Sequence, residues 1–577
     1  MRFHCLGVGS IGSLLATNLA SLPSSRVRLI LRRKDLAAQL LSANTPSSSA
    51  DPSSTPYGSL SVERNGLVRR TDNLEMELTR NPADLNLSRS PAFSSSSSAS
   101  GRRSPRIDPA VWLRNDPIDT LFITTKAPQT LPALRYLLPR LSSRSTVVLC
   151  QNGMGVLESL LDKYWPEDRS DVLERERAQA GEGAAGSWTT GAGNRPSFIC
   201  ATTTHGAWRK SGSHFVHAGL GDLKFGVLPN RAVLSTLSSF PTPSWSSPTE
   251  NPLLNPRSLV QPSLDHLPFT PVTATLQTTI ASLLALPELQ PQWLPLPTLQ
   301  IAQLQKLAVN ASVNSITALM GVNNGALVGS KKARRLVEAV AQECAEVFAA
   351  HIAREEGRWE PPAALERDDD DDDDLLSLPA SASRSSQLVD HSAPPPLPTS
   401  HPLSAPSLTD YTLRILFKTS SNLSSTLSDV LALQSSPGFS LDNSPSLASR
   451  TEIEFINGYI AALGRRYGID APTVRTLGEL VLLKEEMGRV GAVDRVWESR
   501  RDKVVASAAA NERAATRGSK GGIFGSPSPT PRPPSPKQRA YDRAARHSQL
   551  SRESEERMRE REVDRIRHSQ GGGGEGG

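Results

Sequence analysis

The sequence predicts an α/β domain followed by an all-helical domain, with long low-complexity insertions in both. Residues 2–33 read as a strand, a glycine-rich turn, a helix and a second strand, which is the beginning of a βαβ unit. From about Pro297 onward the apolar residues recur with helical spacing. Runs rich in serine, proline, glycine or aspartate separate these segments, as surface insertions do.

Length and composition support more than one domain and a large polar fraction. The chain has 577 residues, of which 37% are hydrophobic and 5% aromatic, with 45 prolines. The net charge of +6 and the pI near 9.2 invite a nucleic-acid interpretation, but the positive charge is concentrated beyond Arg500. There arginine alternates with glutamate without interleaved aromatic residues, so we expect no nucleic-acid partner.

The expected domain bounds follow from these patterns. Further strand candidates after the first βαβ unit are Thr120 to Lys126, Thr146 to Gly153, Phe198 to Trp208 and Ser213 to Gly226. We expect a Rossmann-type domain over 1–295, a helical substrate domain over 296–502 and a disordered basic tail over 503–577. The expected insertions are 42–56, 88–106, 166–195, 240–262 and 361–406.

Cysteine usage and hydropathy bear on the compartment. The four cysteines are far apart and form no CxxC pair, which fits a reducing compartment, and three of them lie in apolar strand-like runs. No segment offers about 18 uninterrupted apolar residues, so we expect no membrane span. The first strand begins almost at Met1, so we expect no signal peptide and a cytoplasmic protein, with a mitochondrial location left open.

A glycine motif follows the first strand and opens the first helix. In "GVGSIG" Gly7 suits the tight turn, Gly9 lets the backbone approach a pyrophosphate and Gly12 allows close helix packing. The alternative is a plain tight turn, but the position within a βαβ unit favours dinucleotide binding. The next strand ends with Arg32 and Arg33 where NAD-binding chains usually carry a carboxylate, and this favours NADP.

The helix from Lys306 onward carries unusual polar residues. Lys306, Asn310, Asn314 and Thr317 fall within an arc of roughly 80° at about 100° per residue. Asparagine is a poor helix-interior residue, so a solvated face would rather use Glu, Lys, Gln or Arg. A satisfied buried polar network is one alternative. A substrate cleft, in which one lysine supplies a proton, is the other.

Several motifs in chain order resemble those of the ketopantoate reductases (2-dehydropantoate 2-reductases). They are "GVGSIG", "ITTKAPQT", "QNGMG", "ATTTHGA", "KLAVN", "SSNLSSTLSD" and "RTEIEFINGYIAALGRRYGIDAPT". Gln151 departs from the family's HNGMG turn, in which histidine holds that position. The resemblance implies NADPH-dependent reduction of 2-dehydropantoate to pantoate, a step toward pantothenate and coenzyme A.

The resemblance also implies roles for individual residues. Lys306 matches the family's general acid, and Glu452 matches a catalytic carboxylate near the nicotinamide. From the residues alone, Glu452 reads instead as part of a capping box over Thr451 to Glu454. Matches to cofactor-binding positions are Gly7, Val8, Gly9, Ser10, Ile11, Gly12, Arg32, Lys126, Asn152, Ala207 and Glu452. Matches to substrate-binding positions are Lys306, Asn310, Asn314, Asn324, Asn422 and Ser425, with Ser424 and Thr426 as neighbouring alternatives for the last.

Two rival functions remain open on the sequence. One is a reductase of the same fold that acts on a different 2-oxo acid. The other is a non-catalytic scaffold, which loss of Lys306 or of the glycine loop would have favoured, although both are intact. We expect a small-molecule substrate, no membrane partner and no metal, and a homodimer stays open.

Overall fold

The structure is a computed structural model that describes residues 1–32, 34–42, 57–79, 115–166, 195–239, 251–361, 393–435 and 450–488. These residues belong to one compact unit, Met1–Glu498, and the second unit, Ser499–Gly577, lies outside the described residues. The expected disordered basic tail over 503–577 therefore lies outside them as well, as do 88–106 and 167–194.

Eleven strands of the described residues form one sheet. They are β1 (Arg2–Leu6), β2 (Arg26–Leu31), β3 (Tyr57–Arg64), β4 (Leu67–Leu78), β5 (Thr120–Ile123), β6 (Thr146–Leu149), β7 (Ser197–Thr203), β8 (Gly206–Arg209), β9 (His214–Gly219), β10 (Leu223–Leu228) and β11 (Pro291–Trp293). Their order is β11-β10-β7-β6-β5-β1-β2-β4-β3-β9-β8. The pairs β7–β10, β3–β4 and β8–β9 are antiparallel, and the other pairs are parallel.

The helices flank the sheet and then continue without strands after β11 in the described residues. They are α1 (Ser10–Leu19), α2 (Lys34–Ser42), α3 (Ala127–Leu134), α4 (Val156–Tyr164), α5 (Arg231–Ser239), α6 (Ala274–Leu284), α7 (Leu296–Val309), α8 (Ser315–Met320), α9 (Lys331–Glu355), α10 (Ala405–Lys418), α11 (Ser425–Ser435), α12 (Asn457–Tyr467) and α13 (472–488). The predicted α/β region followed by an all-helical region is confirmed.

Alternation along the central strands builds the core on both faces of the sheet. Successive side chains of a strand point to opposite faces. Cys5 and Phe122 accordingly join one buried apolar cluster, whereas Leu6 and Ile123 join another. A third cluster around Phe348 lies within the helical region. The two clusters on the sheet hold β1, β5, β6 and β7 in place, so the carboxyl ends of these strands lie at one edge of the sheet.

Local chemistry explains where the helices begin and end. Ser330 and Ser404 accept a hydrogen bond from the backbone N–H three residues on and so cap α9 and α10. Gly321 and Gly468 end α8 and α12 with left-handed backbone, which glycine adopts at little cost. A five-residue π-helical segment, Asn310–Asn314, joins α7 to α8.

The structure corrects several expected bounds. The expected strand 198–208 is two strands, β7 and β8, and the expected strand 213–226 is β9 and β10. Residues 251–262 and 393–406 were expected within insertions, yet they pack against the rest of the molecule. Leu253 is 7% exposed and Leu403 is fully buried. The β3–β4 hairpin was not predicted at all.

Candidate active site

The glycine loop between β1 and α1 is shaped to hold an anion. Gly7 has a φ of +99°, and a Cβ there would lie 2.5 Å from the backbone nitrogen of Thr125. A Cβ on Gly12 would lie 2.0 Å from the carbonyl oxygen of Gly7, whereas Gly9 has nothing within 4 Å of its Cβ position. Helix α1 begins at Ser10 without a side-chain cap, so no side chain occupies its first N–H groups, which suit an anion. Of the remaining loop residues Val8 is buried, while Ser10 and Ile11 are partly buried.

Strand β1 lies between β2 and β5. From β1 the chain adds β2 on one side and later β5, β6 and β7 on the other, so β1 is the topological switch point of the sheet. Nucleotides bind at this position in open α/β sheets. Arg32 follows β2 directly and its side chain is exposed. Arg33 lies outside the described residues. The loop therefore suits the diphosphate of a dinucleotide, and Arg32 lies at the end of the neighbouring strand.

Lys306 connects the helical region to the carboxyl edge of the sheet. It projects from α7, and its Nζ donates hydrogen bonds to Asn152 Oδ1 at 2.9 Å and to the Thr203 carbonyl oxygen at 2.8 Å. Asn152 follows β6, and Thr203 ends β7. Both acceptors are neutral, and among the described residues Lys306 forms no ion pair with a carboxylate.

Glu452 lies on the other side of Asn152. Its carboxylate accepts hydrogen bonds from Asn152 Nδ2 and from the backbone N–H of Ala127, both at 3.2 Å, and the residue is 6% exposed. Thr451 donates its hydroxyl to Glu485 at 2.8 Å, and no side chain caps the short turn after Glu452. The capping-box interpretation is therefore wrong, and Asn152 connects Lys306 with Glu452.

Burial shifts the proton affinities at this site. Burial lowers the pKa of Lys306 to about 8, although the negative charges of Glu452 and Asp222 oppose that shift. Burial also raises the pKa of Glu452, against the opposing effect of the Lys126 charge. A lysine with a pKa near 8 can both carry and release a proton near neutral pH. This is a suitable group for general acid catalysis.

The π-helical segment places amides beside helix α11. Asn314 is buried, and its Nδ2 donates to Ser425 Oγ at 3.3 Å. Thr317 donates to Ser424 Oγ at 2.7 Å, and Ser424 also accepts from the Leu427 N–H as part of the helix start. Asn310 is only partly buried. Ser424 and Thr426 are buried within the helical region, whereas Ser425 is exposed and so accessible to a ligand.

A second group of candidate substrate residues lies in a loop contact. The Asn324 N–H donates to the Asn422 carbonyl oxygen at 3.1 Å, and Asn324 Nδ2 donates to Thr419 Oγ1 at 2.9 Å. Asn324 is 7% exposed, and within the described residues its Oδ1 accepts no hydrogen bond. A Cβ on Gly206 would lie 3.7 Å from Asn422 Nδ2, which places this loop near the start of β8. The buried Oδ1 can therefore accept one further hydrogen bond.

Two further cofactor-side candidates, Lys126 and Ala207, make other contacts. Lys126 immediately precedes α3 and forms an ion pair with Asp429 of α11. Ala207 lies in β8 and pairs with His217. The sequence interpretation missed Asp429 and the Thr203 carbonyl. Asp429 lies one helical turn after Ser425, which was the available signal, whereas a backbone carbonyl carries no sequence signal.

Comparisons with known proteins match this architecture. The family model "Ketopantoate reductase PanE/ApbA" matches residues 61–230, and "Ketopantoate reductase PanE/ApbA C terminal" matches 298–437 and 446–485. A Schizosaccharomyces pombe protein named "Probable 2-dehydropantoate 2-reductase" is 28% identical over 346 residues, which is 60% of this chain and 71% of that protein. The Saccharomyces cerevisiae 2-dehydropantoate 2-reductase is 23% identical over 331 residues, 57% of this chain and 63% of that protein.

Solved structures are less similar to this chain in sequence. A D-mandelate dehydrogenase with NADH and anilino(oxo)acetate has a TM-score of 0.48 at 14% identity, over 85% of this chain and 99% of that one. A PanE/ApbA family ketopantoate reductase from Ralstonia eutropha JMP134 has a TM-score of 0.45 at 17% identity, over 85% and 100%.

The fold and the site define a Rossmann-type protein with a helical C-terminal region. With the two family matches, the chain belongs to the ketopantoate reductase family and is an oxidoreductase of that family. In the part of the chain that the structure describes, no helix is long and apolar enough to cross a membrane. Across the same residues, no group of three or more His, Cys, Asp or Glu side chains could hold a metal ion.

Proposed function

We propose that this protein reduces 2-dehydropantoate to pantoate with NADPH, in the cytoplasm, as a step of pantothenate and coenzyme A biosynthesis. The observation that carries the proposal is the placement of Lys306. Its Nζ donates hydrogen bonds to Asn152 and Thr203 at the carboxyl edge of the sheet. The side chain of Asn152 also donates to Glu452 and so connects the two residues. Family membership supports the substrate, and the arginine after β2 supports NADPH over NADH.

The residues of the sheet half would hold the dinucleotide. The Gly7 to Gly12 loop and the start of α1 suit the diphosphate, and Arg32 suits the 2′-phosphate. Lys126, Asn152, Ala207 and Glu452 would lie toward the nicotinamide end, along the sheet edge. The bound nicotinamide supplies the hydride that reduces the ketone carbon.

Lys306 has two effects on the ketone. Its positive charge polarises the carbonyl and stabilises the negative charge that develops on oxygen. Its Nζ then gives that oxygen a proton, which completes the hydroxyl group of pantoate, and solvent restores the proton on the lysine. Asn152 and the Thr203 carbonyl hold the ammonium group in place through both steps.

Uncharged side chains would hold the substrate. Asn314 and Ser425 are hydrogen-bonded to each other, and the buried Oδ1 of Asn324 suits a substrate hydroxyl. Asn310 and Asn422 add amides that can donate to a carboxylate and accept from a hydroxyl. Because these groups are neutral, Lys306 remains the main positive charge facing the ketone.

The test is NADPH oxidation with 2-dehydropantoate, followed by absorbance, for the wild type and for Lys306→Ala. We expect turnover with NADPH, little with NADH, and a loss of roughly 10³-fold in kcat for the variant. Lys331→Ala is the matched control, since Lys331 is exposed at the start of α9. Turnover of another 2-oxo acid in place of 2-dehydropantoate would refute the substrate, and failure to bind NADPH would refute the whole proposal.

A further inference from the structure

The hairpin formed by β8 and β9 lies against the helices that follow the nucleotide-binding strands. Both strands contact α1, although β9 and β8 are the last two strands at one edge of the sheet. The turn between them approaches α2, because a Cβ on Gly212 would lie 2.1 Å from Gln39 Oε1. The hairpin therefore lies across the α1 and α2 side of the glycine loop.

Arg209, the last residue of β8, reaches the glycine loop itself. Its Nη2 donates to the carbonyl oxygen of Val8, and its Nη1 donates to the Gly212 carbonyl oxygen at 3.2 Å. The guanidinium carbon lies 4.7 Å from the centre of the Phe215 ring, a distance at which a cation is attracted to the ring. These three contacts hold a permanent positive charge beside the loop.

Arg209 also lies on the side of β8 that we assign to the cofactor. Residues two apart in a strand share a face, so Arg209 projects to the same side as Ala207. Val8 lies between Gly7 and Gly9, the two glycines that border the open space of the loop. A guanidinium that donates to a neutral carbonyl can give the same N–H to a phosphate oxygen, which is a stronger, charge-assisted acceptor.

We propose that Arg209 binds the diphosphate of the dinucleotide, so that the β8–β9 hairpin closes over the glycine loop. This inference rests on the proposed function, since it assumes that a nicotinamide dinucleotide occupies the loop. Arg32 follows a different strand and is assigned to the 2′-phosphate, so the two arginines have separable effects. Loss of Arg209 weakens NADP and NAD binding equally, whereas loss of Arg32 weakens NADP alone.

The experiment measures the Kd of NADP⁺ and of NAD⁺ at several salt concentrations for full-length wild type, Arg209→Gln and Arg209→Lys. Lys210→Gln is the matched control, because it removes one positive charge from the same hairpin and Lys210 is paired with Glu63 at 2.7 Å. We expect Arg209→Gln to raise both Kd values roughly tenfold or more and to flatten their salt dependence. Arg209→Lys keeps the salt dependence with a smaller loss, and Lys210→Gln changes neither Kd.

Three outcomes would overturn the inference. Kd values of Arg209→Gln within twofold of wild type would exclude a phosphate contact, and a loss confined to NADP⁺ would move Arg209 to the 2′-phosphate. A raised Kd with a lower Tm and an unchanged salt dependence would mean that Arg209 only supports the loop. If the wild type binds neither nucleotide, the proposed function itself fails, which distinguishes that result from the other three.

Discussion

At the scale of single residues, the unusual feature of the site is a partly buried ammonium group held by neutral oxygens. Lys306 donates to an amide and to a backbone carbonyl, and the same amide, that of Asn152, donates to the Glu452 carboxylate. A direct ion pair would stabilise the charged lysine and weaken it as an acid. Burial lowers the pKa of Lys306 to about 8, although the charge of Glu452 opposes that shift.

The pH dependence of catalysis follows from this pKa. The acid must be protonated to act, so kcat/KM should fall as pH rises through about 8. The charge of Glu452 raises the pKa of Lys306, so Glu452→Gln should move the falling limb to lower pH. Initial rates from pH 6 to 10 for both proteins test this expectation. A limb that stays in place in the variant would mean that another group sets it.

The local sequence pattern could locate the lysine, whereas Asn152 and Glu452 could be named only through the family motifs, without their contacts to it. The asparagine-rich helix and the family motifs single out Lys306 in a chain of this length. Its partner Asn152 lies 154 residues away, and Glu452 lies 300 residues beyond Asn152. Such contacts depend on how the two regions pack, and no local pattern encodes that. Glu452 in particular reads locally as a helix cap.

At the scale of elements, two tight turns bring Asn152 and Glu452 together. The Met154 N–H donates to the Phe455 carbonyl oxygen at 2.8 Å, which joins the turn after β6 to the turn after Glu452. Gly153 has a φ of +83°, and a Cβ there would lie only 2.4 Å from that same oxygen. The contact therefore requires glycine for both its conformation and its size.

Gly153→Ala should separate these two turns and lower activity. We expect a stability loss of several kcal/mol or a shift of the turn, with a large fall in kcat, because Asn152 and Glu452 both move. Gly66→Ala is the matched control, since Gly66 has a φ of +80° but nothing within 4 Å. Gly66→Ala should lower the free energy of unfolding by about 1 kcal/mol and leave kcat unchanged. Equal effects of the two substitutions on kcat and Tm would contradict the argument.

Element prediction failed where a local signal was present but not used. The β3–β4 hairpin turns at Asn65 and Gly66, both with positive φ, and Asn-Gly is a strong hairpin signal. The π-helical segment Asn310–Asn314 has no comparable signal, because the spacing of its apolar residues predicts an ordinary α-helix. π-helical turns often occur at functional sites, and this one carries two candidate substrate residues.

At the scale of the whole molecule, a buried charge network supports the sheet away from the site. Arg28 is 4% exposed and contacts Glu75 and Asp116 at 2.8 Å, while Arg140 pairs with Glu77. Burial and the surrounding arginines lower the pKa of the adjacent His4 to about 3, so this residue is neutral at physiological pH. Breaking such a network leaves uncompensated charges in the interior.

Arg28→Met should therefore destabilise the protein by about 3–5 kcal/mol. The kcat of the folded variant should remain near the wild-type value, since none of the candidate site residues belongs to the network. Arg334→Met removes an exposed pair with Glu338 and should change stability by less than about 0.5 kcal/mol. Thermal unfolding and initial rates test both expectations. A variant that keeps the wild-type Tm would show that the network contributes little.

The order of the two regions could be predicted from hydrophobic patterning, but the extent of the insertions could not. Residues near Leu253 and Leu403 lie in polar, proline-rich sequence, yet both side chains are buried. One apolar side chain in such a run gives no periodicity, so only the fold reveals that it packs. The domain boundary expected at 295/296 stays a prediction, and helix α7 begins at Leu296.

The chain beyond Glu498 carries none of the candidate site residues. All candidate site residues lie within Met1–Glu498, which forms a compact unit of its own. We therefore expect a protein that ends at Glu498 to keep its Tm within about 2 °C and its kcat/KM for 2-dehydropantoate within twofold, because no proposed catalytic or binding contact is removed. The full-length chain measured in parallel is the control. A tenfold loss of kcat/KM with an unchanged Tm would assign residues 499–577 a part in catalysis, and a lower Tm would assign them a part in folding.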